Sequence, residues 1–281
     1  MLRILTDSTS DITIQEAKDL NIELVPLTVC FGEEHYEDGV DLSLGEFYDK
    51  LSVCEKLPTT SQPSPEKFIA HYEAAKNAGD DILCILLSSC ISGTCQSAKI
   101  AKEEGEYDNV YIIDSLNATV GLALLVYRAI ALRSEGQDVH TIVQELEKAK
   151  YDICLFAVVD DLKYLRKGGR LSGAAAIAGG LLGIKPVVQV ADGKVSMAGK
   201  ARGLPGAYVT IFKLIAERGG IDDTYPIGVG YTGHRHGLEP FMRFVTQNLH
   251  LEKPHEFAIG TVIGTHAGPG ACGIAYFRKT V

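Results

Sequence analysis

Short strand-like runs alternate with helical patterns through the first half of the chain, and this alternation restricts the fold more than any other pattern. Residues 82–87 are a continuous apolar run, which is typical of a strand covered on both faces. Helical patterns follow at residues 94–105, 118–134 and 139–150. Repeated strand–helix units of this kind predict a mainly parallel sheet with helices on both faces.

Capping signals support several of the helices in this half. Thr13 with Glu16, and Ser43 with Glu46, have the spacing of a capping box. Ser64 is followed by a proline, which suits the first position of a helix. The strands predicted around these helices cover residues 3–6, 23–31 and 110–113.

The second half has a different pattern. Asp192-Gly193 lies between two β-runs and predicts a tight hairpin. Hairpins mixed with helices indicate an α+β arrangement. The other predicted strands cover residues 153–159, 227–231 and 256–263, and the predicted helices cover residues 172–182, 206–218 and 238–248.

These patterns predict an α/β protein of two domains. The N-terminal domain, residues 1–152, has a mainly parallel sheet with flanking helices, and the C-terminal domain, residues 153–281, is α+β. A chain of 281 residues is long enough to bury a substantial core. No low-complexity linker separates the halves, so a tight interface is expected, which is a common place for a ligand.

The composition excludes several classes of function. Lys and Arg number 27 against 36 Asp and Glu, so the net charge of −9 disfavours general binding to nucleic acid. The chain has no Trp and only 7% aromatic residues, too few for a base-stacking surface. No nucleic-acid partner is therefore predicted.

The cysteines and the N-terminal residues predict a cytoplasmic protein. Seven cysteines without a CxxC pair favour free thiols in a reducing compartment. No secretory signal is evident, and no apolar run approaches the ~20 residues of a membrane helix. His234 and His236 lack cysteine or carboxylate neighbours at metal-ligand spacing, so no metal site is predicted.

Two hydroxyl-rich loops are candidate anion-binding segments. Thr60 and Ser61 lie between two prolines before a predicted helix, although a turn capped by Ser64 explains the same pattern. The loop at Ser92 follows the buried strand and opens a helix, where free backbone N–H groups suit an anionic group. Neither a P-loop nor a GxSxG nucleophile motif is present.

Two further segments have alternative interpretations. His266 lies in a Gly-rich segment predicted as a turn at the end of a strand, where glycines also serve positive φ angles. Four basic residues within 163–170 form either an anion or partner site or a solvated face. The small residues at 174–183 either pack closely against a helix or leave room for a long apolar ligand.

Together these segments resemble the DegV family of bacterial fatty-acid-binding proteins, which includes the FakB subunits of fatty acid kinase systems. They occur in the family's order along the whole chain, so their combination is highly specific. Cys95 departs from the family, which often has an aromatic residue there. The matching segments are TDSTSD at 6–11, TSQPS at 60–64, SGTCQSA at 92–98, IDS at 113–115, GGRLS at 168–172, IKP at 184–186 and GTHAGPG at 264–270.

The resemblance implies a long-chain fatty acid held between the two domains, with its acyl chain in an apolar tunnel. The residues implied in carboxylate binding are Thr60, Ser61, Ser92, Gly93, Thr94 and His266. The residues expected along the acyl tunnel are Ile91, Ala174, Ile177, Ala178 and Leu181. Arg170 and Arg202 match basic positions that face a partner or the transferred phosphoryl group.

The resemblance also implies a carrier rather than an enzyme. A separate ATP-dependent kinase would phosphorylate the bound carboxylate to an acyl phosphate that feeds phospholipid synthesis. The implied partners are a fatty acid such as palmitate, stearate or oleate, the kinase catalytic subunit and, transiently, a membrane. No cofactor is implied.

Two other functions stay open from the residues alone. A stand-alone hydrolase or acyl transferase would use Ser92 or Cys95 as nucleophile with His266, although no third orienting residue is evident. A nucleotide-binding regulator would be built on the first half, although the P-loop motif is absent.

Overall fold

The computed structural model describes residues 1–173, 183–249, 251 and 254–280. The strands are β1 (Leu2–Asp7), β2 (Glu23–Val25), β3 (Thr28–Phe31), β4 (Glu34–Glu37), β5 (Thr59–Ser61), β6 (Asp81–Leu86), β7 (Val110–Asp114), β8 (Ile153–Val158), β9 (Ile184–Ala191), β10 (Lys194–Arg202), β11 (Gly228–Tyr231), β12 (His255–Ala258) and β13 (Cys272–Phe277). The helices are α1 (Ile14–Asp19), α2 (Leu44–Val53), α3 (Pro65–Ala78), α4 (Thr94–Gly105), α5 (Thr119–Ser134), α6 (Val139–Ala149), α7 (Lys163–Lys167), α8 (Gly203–Glu217), α9 (Glu239–Leu249) and α10 (Thr261–Ala267).

The first half forms a four-stranded sheet in the order β2-β1-β6-β7, in which every neighbouring pair is parallel. The side chains of β6 alternate between two apolar cores. Leu83 and Ile85 pack in the core that contains α5 and α6, whereas Ile82 and Cys84 pack in the core that contains α3 and α4. The predicted parallel sheet with helices on both faces is therefore confirmed.

The second half forms a six-stranded sheet in the order β10-β9-β8-β13-β11-β12, in which only the β11–β12 pair is parallel. Helix α5 lies between the two sheets, because it packs against β1 and β6 of the first and against β8, β11 and β13 of the second. Residues 122–126 of this helix are fully buried. A helix that is apolar on all sides is expected in such a position.

Local signals predict several boundaries correctly. Ser43 and Glu46 form the complete capping box at the start of α2. Asp192 and Gly193 have φ angles of 49° and 77° and join β9 to β10. Two residues with positive φ are characteristic of a type I′ turn, so the predicted hairpin is confirmed.

The single strand predicted at residues 23–31 is wrong. β2 ends at Val25 in the parallel sheet, and β3 begins at Thr28 in a separate antiparallel sheet of order β4-β3-β5. Pro26 lies at the break. Proline has no N–H for a strand ladder, so the chain leaves the first sheet there.

The predicted strand at 256–263 and the predicted turn at His266 are also wrong. β12 ends at Ala258, and His266 lies in helix α10. The backbone N–H of Gly260 donates to Asp11 at 2.8 Å, and that of Thr261 donates to Asp38 at 2.8 Å. These carboxylates lie 249 and 223 residues away in sequence, so no local pattern indicates the helix.

β13 is missing from the sequence-based prediction, although it lies near the centre of the six-stranded sheet. The predicted small-residue helix at 172–182 falls outside the described residues except for Ser172 and Gly173, which are not helical. All strands of the four-stranded sheet precede residue 153, and all strands of the six-stranded sheet begin at or after it. The domain boundary between residues 152 and 153 stays a prediction.

Three carboxylates of the first half are buried and accept backbone hydrogen bonds, and two of them join the first half to the second. Asp7 accepts hydrogen bonds from the backbone N–H groups of Thr9 and Leu87, and Asp11 and Asp38 hold the start of α10. Burial raises the pKa of all three, that of Asp7 to about 6, although their donors oppose the shift. Side-chain donors help to satisfy the charge, since Thr261 also donates its hydroxyl to Asp38.

We expect Asp38→Ala to lower the free energy of unfolding by about 2–3 kcal/mol, because it leaves the fully buried N–H of Thr261 without an acceptor. Urea unfolding followed by circular dichroism measures the change. Asp49→Ala, at an exposed position of α2, is the matched control and should change little. Equal stability of the two variants would contradict the proposed role of Asp38.

Candidate ligand-binding site

A cavity of about 340 Å³ lies between the two sheets. Its size falls in the range of small-molecule pockets, about 300–1,000 Å³. Both halves line it: Ala118 caps α5 and Val120 lies in its first turn on one side, and Leu155 and Val188 belong to β8 and β9 on the other. The expected position of a ligand between the two halves is therefore matched by a cavity.

The floor of the cavity is a row of small residues on the inner face of the six-stranded sheet. Gly273 of β13 lies directly opposite Ala157 of β8 and Gly230 of β11. All three line the cavity. Because neighbours in register share a face, these three small residues form one continuous part of the lining across three strands.

The walls are predominantly aliphatic, so the cavity suits an apolar ligand. The aliphatic lining residues are Leu27, Leu87, Ile91, Ala118, Val120, Leu155, Ala157, Val159, Leu165, Val188, Val190, Val195, Ile259, Val262, Ile263, Ala267, Ala271 and Ile274.

Several polar residues of the lining come together at one part of the cavity. Thr60 hydrogen-bonds to His266, Arg170 is close enough to His266 to lower its pKa, and Arg170 also donates to the carbonyl of Ile91 at 3.3 Å. Ser92, which also lines the cavity, directly follows Ile91 in the chain. Ser61 lines the cavity and is exposed, so this polar part faces solvent.

The imidazole of His266 has a hydrogen bond on one side and packs closely against Gly168 on the other. Its Nε2 atom lies 2.9 Å from the hydroxyl of Thr60, and its Nδ1 atom is buried without a hydrogen-bond partner among the described residues. A Cβ atom at Gly168 would lie 2.2 Å from Nδ1, so the glycine allows the ring to sit there. Burial, followed by the charge of Arg170, lowers the pKa of His266 to about 4, which keeps the imidazole neutral.

The loop before α4 places Ile91 and Ser92 in the cavity lining but not Gly93 or Thr94. The hydroxyls of Ser92 and Thr94 lie 2.8 Å apart, and Thr94 is fully buried. Gly93 lies beneath the amide of Gln62, which a Cβ atom there would meet at 2.3 Å. Of the three predicted head-group residues in this loop, Ser92 alone is among the lining residues of the described structure.

The two predicted arginines occupy different places. Arg170 lines the cavity and donates from Nη1 to the carbonyl of Gly168 at 2.6 Å. Arg202 is exposed at the end of β10 and is not among the lining residues in the described part of the chain.

Of the five residues predicted along the acyl tunnel, Ile91 lies in the described part of the chain. Ile91 lines the cavity. Ala174, Ile177, Ala178 and Leu181 lie outside the described residues.

Sequence reasoning assigned no site role to Ala157 of the cavity floor or to Gln62, one of the polar lining residues. Gln62 lines the cavity beside Ser61, and its amide lies 3.3 Å from the hydroxyl of Ser97. Ala157 and Gly273 have no motif of their own. Gly273 did offer a signal, because a glycine within a strand often marks the close approach of a ligand or of another backbone segment. Its position opposite Ala157, however, depends on how the strands pair in the fold.

The geometry disfavours Cys95 as a nucleophile. It is 2% exposed, its thiol points to the carbonyl of Leu87 at 3.5 Å, and burial raises its pKa to about 12. His266 makes its hydrogen bond to Thr60 rather than to Ser92.

The described residues contain neither a metal-binding cluster nor a helix that could span a membrane. No cluster of three or more His, Cys, Asp or Glu side chains is arranged to hold a metal ion. No helix there has the length and apolar character to cross a membrane.

Solved structures resemble this fold over nearly its whole length. A DegV family protein from Thermus thermophilus, whose structure is described as showing fatty acid binding, has 32% identity and a TM-score of 0.89, with 99% of each chain covered. A stearic-acid-binding protein from Eubacterium ventriosum has 28% identity and a TM-score of 0.90, also with 99% of each chain covered.

Sequence relatives agree with the structural ones. A DegV domain-containing protein of Deinococcus radiodurans is 37% identical over 278 residues, which are 98% of this chain and 97% of the relative. A family model described as an uncharacterised protein of the DegV family matches residues 1–279. The chain therefore belongs to the DegV family.

Proposed function

We propose that this protein binds a long-chain fatty acid in the cavity between its two sheets. The observation that carries the proposal is an aliphatic cavity that has hydroxyls, an imidazole and a guanidinium at one part of its wall. That division matches a ligand with a long apolar chain and one anionic group. The binding of fatty acids by the Thermus thermophilus and Eubacterium ventriosum relatives supports the same conclusion.

The acyl chain supplies the larger part of the binding free energy. Each buried CH₂ contributes about 0.8 kcal/mol, so a chain of roughly 16 carbons offsets the cost of ordering the ligand. Palmitate, stearate and oleate are suitable ligands. No resident cofactor is part of the proposal.

The carboxylate needs several donors, because an unpaired buried charge is costly. We assign that role to Thr60, Ser61 and Ser92, with His266 oriented by Thr60. Arg170 adds positive charge: a guanidinium has five N–H groups, of which Nε and Nη1 donate to backbone carbonyls here. Thr94 positions Ser92 through the contact between their hydroxyls, and Gly93 does so by packing against the amide of Gln62.

The protein then presents the acid to a separate ATP-dependent kinase, which forms an acyl phosphate for phospholipid synthesis. The solvent-facing position of Ser61 supports access by such a partner. Arg170 would meet the transferred phosphoryl group, and exposed Arg202 would contact the partner. In this proposal the protein is a cytoplasmic carrier of two domains, 1–152 and 153–281, that touches a membrane only transiently.

Lipid extraction and native mass spectrometry of the purified protein test the binding directly. We expect co-purifying fatty acid, and we expect Ala157→Leu to weaken binding at least about tenfold, or about 1.4 kcal/mol, because the added side chain fills the cavity floor. Ala131→Leu, on the exposed side of α5, is the control. A wild-type protein that stays empty after incubation with fatty acids would refute the proposal.

Gly168→Ala should weaken fatty acid binding about as much as His266→Ala, by roughly tenfold, because the new methyl group displaces the imidazole. The double variant should be no weaker than His266→Ala alone, since the two changes act on one group. Isothermal titration of delipidated protein measures all three.

Gly105→Ala has open space around the new Cβ atom and is the matched control for that cycle. Additive losses in the double variant would show that Gly168 acts independently of His266.

Arg202→Gln should retain fatty acid but lower acyl phosphate formation about tenfold when purified kinase subunit and ATP are added, because an exposed cation contributes to partner association rather than to the cavity. Lys213→Gln on the exposed side of α8 serves as the control. Unchanged turnover of Arg202→Gln would remove this residue from the partner surface.

A further inference from the structure

A cysteine and a histidine face each other across the β3–β4 hairpin, away from the cavity. Cys30 and His35 are directly opposite in the antiparallel register, and the Sγ and Nδ1 atoms lie 3.1 Å apart. Cys30 is half-buried and His35 is exposed. Neither residue lines the cavity, so fatty acid binding does not account for the pair.

This contact has the geometry of a thiol paired with a general base. The thiolate is the reactive form of cysteine, and an imidazole within hydrogen-bond reach can remove the thiol proton. Directly opposed residues of an antiparallel hairpin keep their side chains close, so the strands hold the two groups together.

The other six cysteines lack such a partner among the described residues. Four of them are buried, and burial raises the pKa of each thiol; these are Cys84, Cys95, Cys154 and Cys272. Cys54 donates to the backbone carbonyl of Leu51 at 3.3 Å. Cys90 is exposed, and its nearest acceptor is the carbonyl of Asp192 at 3.8 Å.

We propose that Cys30 is a thiol modification site, activated by His35, that takes low-molecular-weight disulfides. The Cys30 thiol gives its proton to Nδ1 of His35, and the sulfur attacks one sulfur of the disulfide. A new S–S bond joins Cys30 to that half, and the old S–S bond breaks. The departing thiolate takes the proton from His35 and leaves as a thiol, so the disulfide is the oxidant and no other reactant is needed.

Because the pair lies outside the cavity lining, a disulfide reagent can reach Cys30 without entering the cavity. Cys30 is opposite Thr59 in the register of β3 and β5, and the next residue of β5 is Thr60 of the proposed head-group site. An adduct on Cys30 would therefore lie on the small sheet that carries Thr60.

The test treats the full-length protein with oxidised glutathione, quenches with iodoacetamide and quantifies each cysteine by peptide mass spectrometry. We expect Cys30 to form the mixed disulfide about tenfold faster than Cys90, although Cys90 is more exposed. His35→Gln should lower the rate at Cys30 to that of Cys90 and leave Cys90 unchanged.

His35 is exposed, so His35→Gln is expected to fold normally, and an unchanged melting curve checks this. Cys30→Ser identifies the modified peptide by its loss. A rate at Cys30 no higher than at Cys90, or one that His35→Gln does not alter, would overturn the proposal.

Discussion

Two carboxylates from the first half of the chain hold the N-terminus of α10, and most of the functional geometry follows from that contact. Asp11 and Asp38 accept the first backbone N–H groups of the helix. Because α10 carries His266, the contact that joins the halves also fixes the imidazole. The hydroxyl of Thr119, the first residue of α5, donates to Asp11 as well. The same buried group therefore sets α5 and α10 on two sides of the cavity.

The inner face of the six-stranded sheet carries small residues where it borders the cavity. Ala157, Gly273 and Gly230 let the cavity reach three neighbouring strands, while the other face is covered by a dense apolar core. In the proposed complex an acyl chain packs against residues of both sheets and gains dispersion contacts with them, so its binding would also stabilise the interface between the sheets.

The sequence was most informative where the deciding residues are neighbours. The capping box of Ser43 and the turn at Asp192-Gly193 depend on a few adjacent residues, and both were predicted from them. Helix α10 was not predicted, because its acceptors lie in another part of the chain. Thr60 and His266 are 206 residues apart, so only the family resemblance placed them in one site. The floor of the cavity depends on strand register and could not be predicted from local composition.

The charges around the cavity favour one place for an anionic group. Arg170 lines the cavity near His266, whereas Asp11 and Asp38 lie at the start of α10 and are not among the lining residues of the described structure. Burial and the charge of Arg170 lower the pKa of His266 to about 4 and keep its imidazole neutral. A bound carboxylate raises the pKa of an adjacent imidazole, because an opposite charge favours the protonated form. Under the proposed assignment, carboxylate binding is therefore linked to proton uptake by His266, and Arg170 with the protonated imidazole would offset the overall negative charge of the protein at the head group.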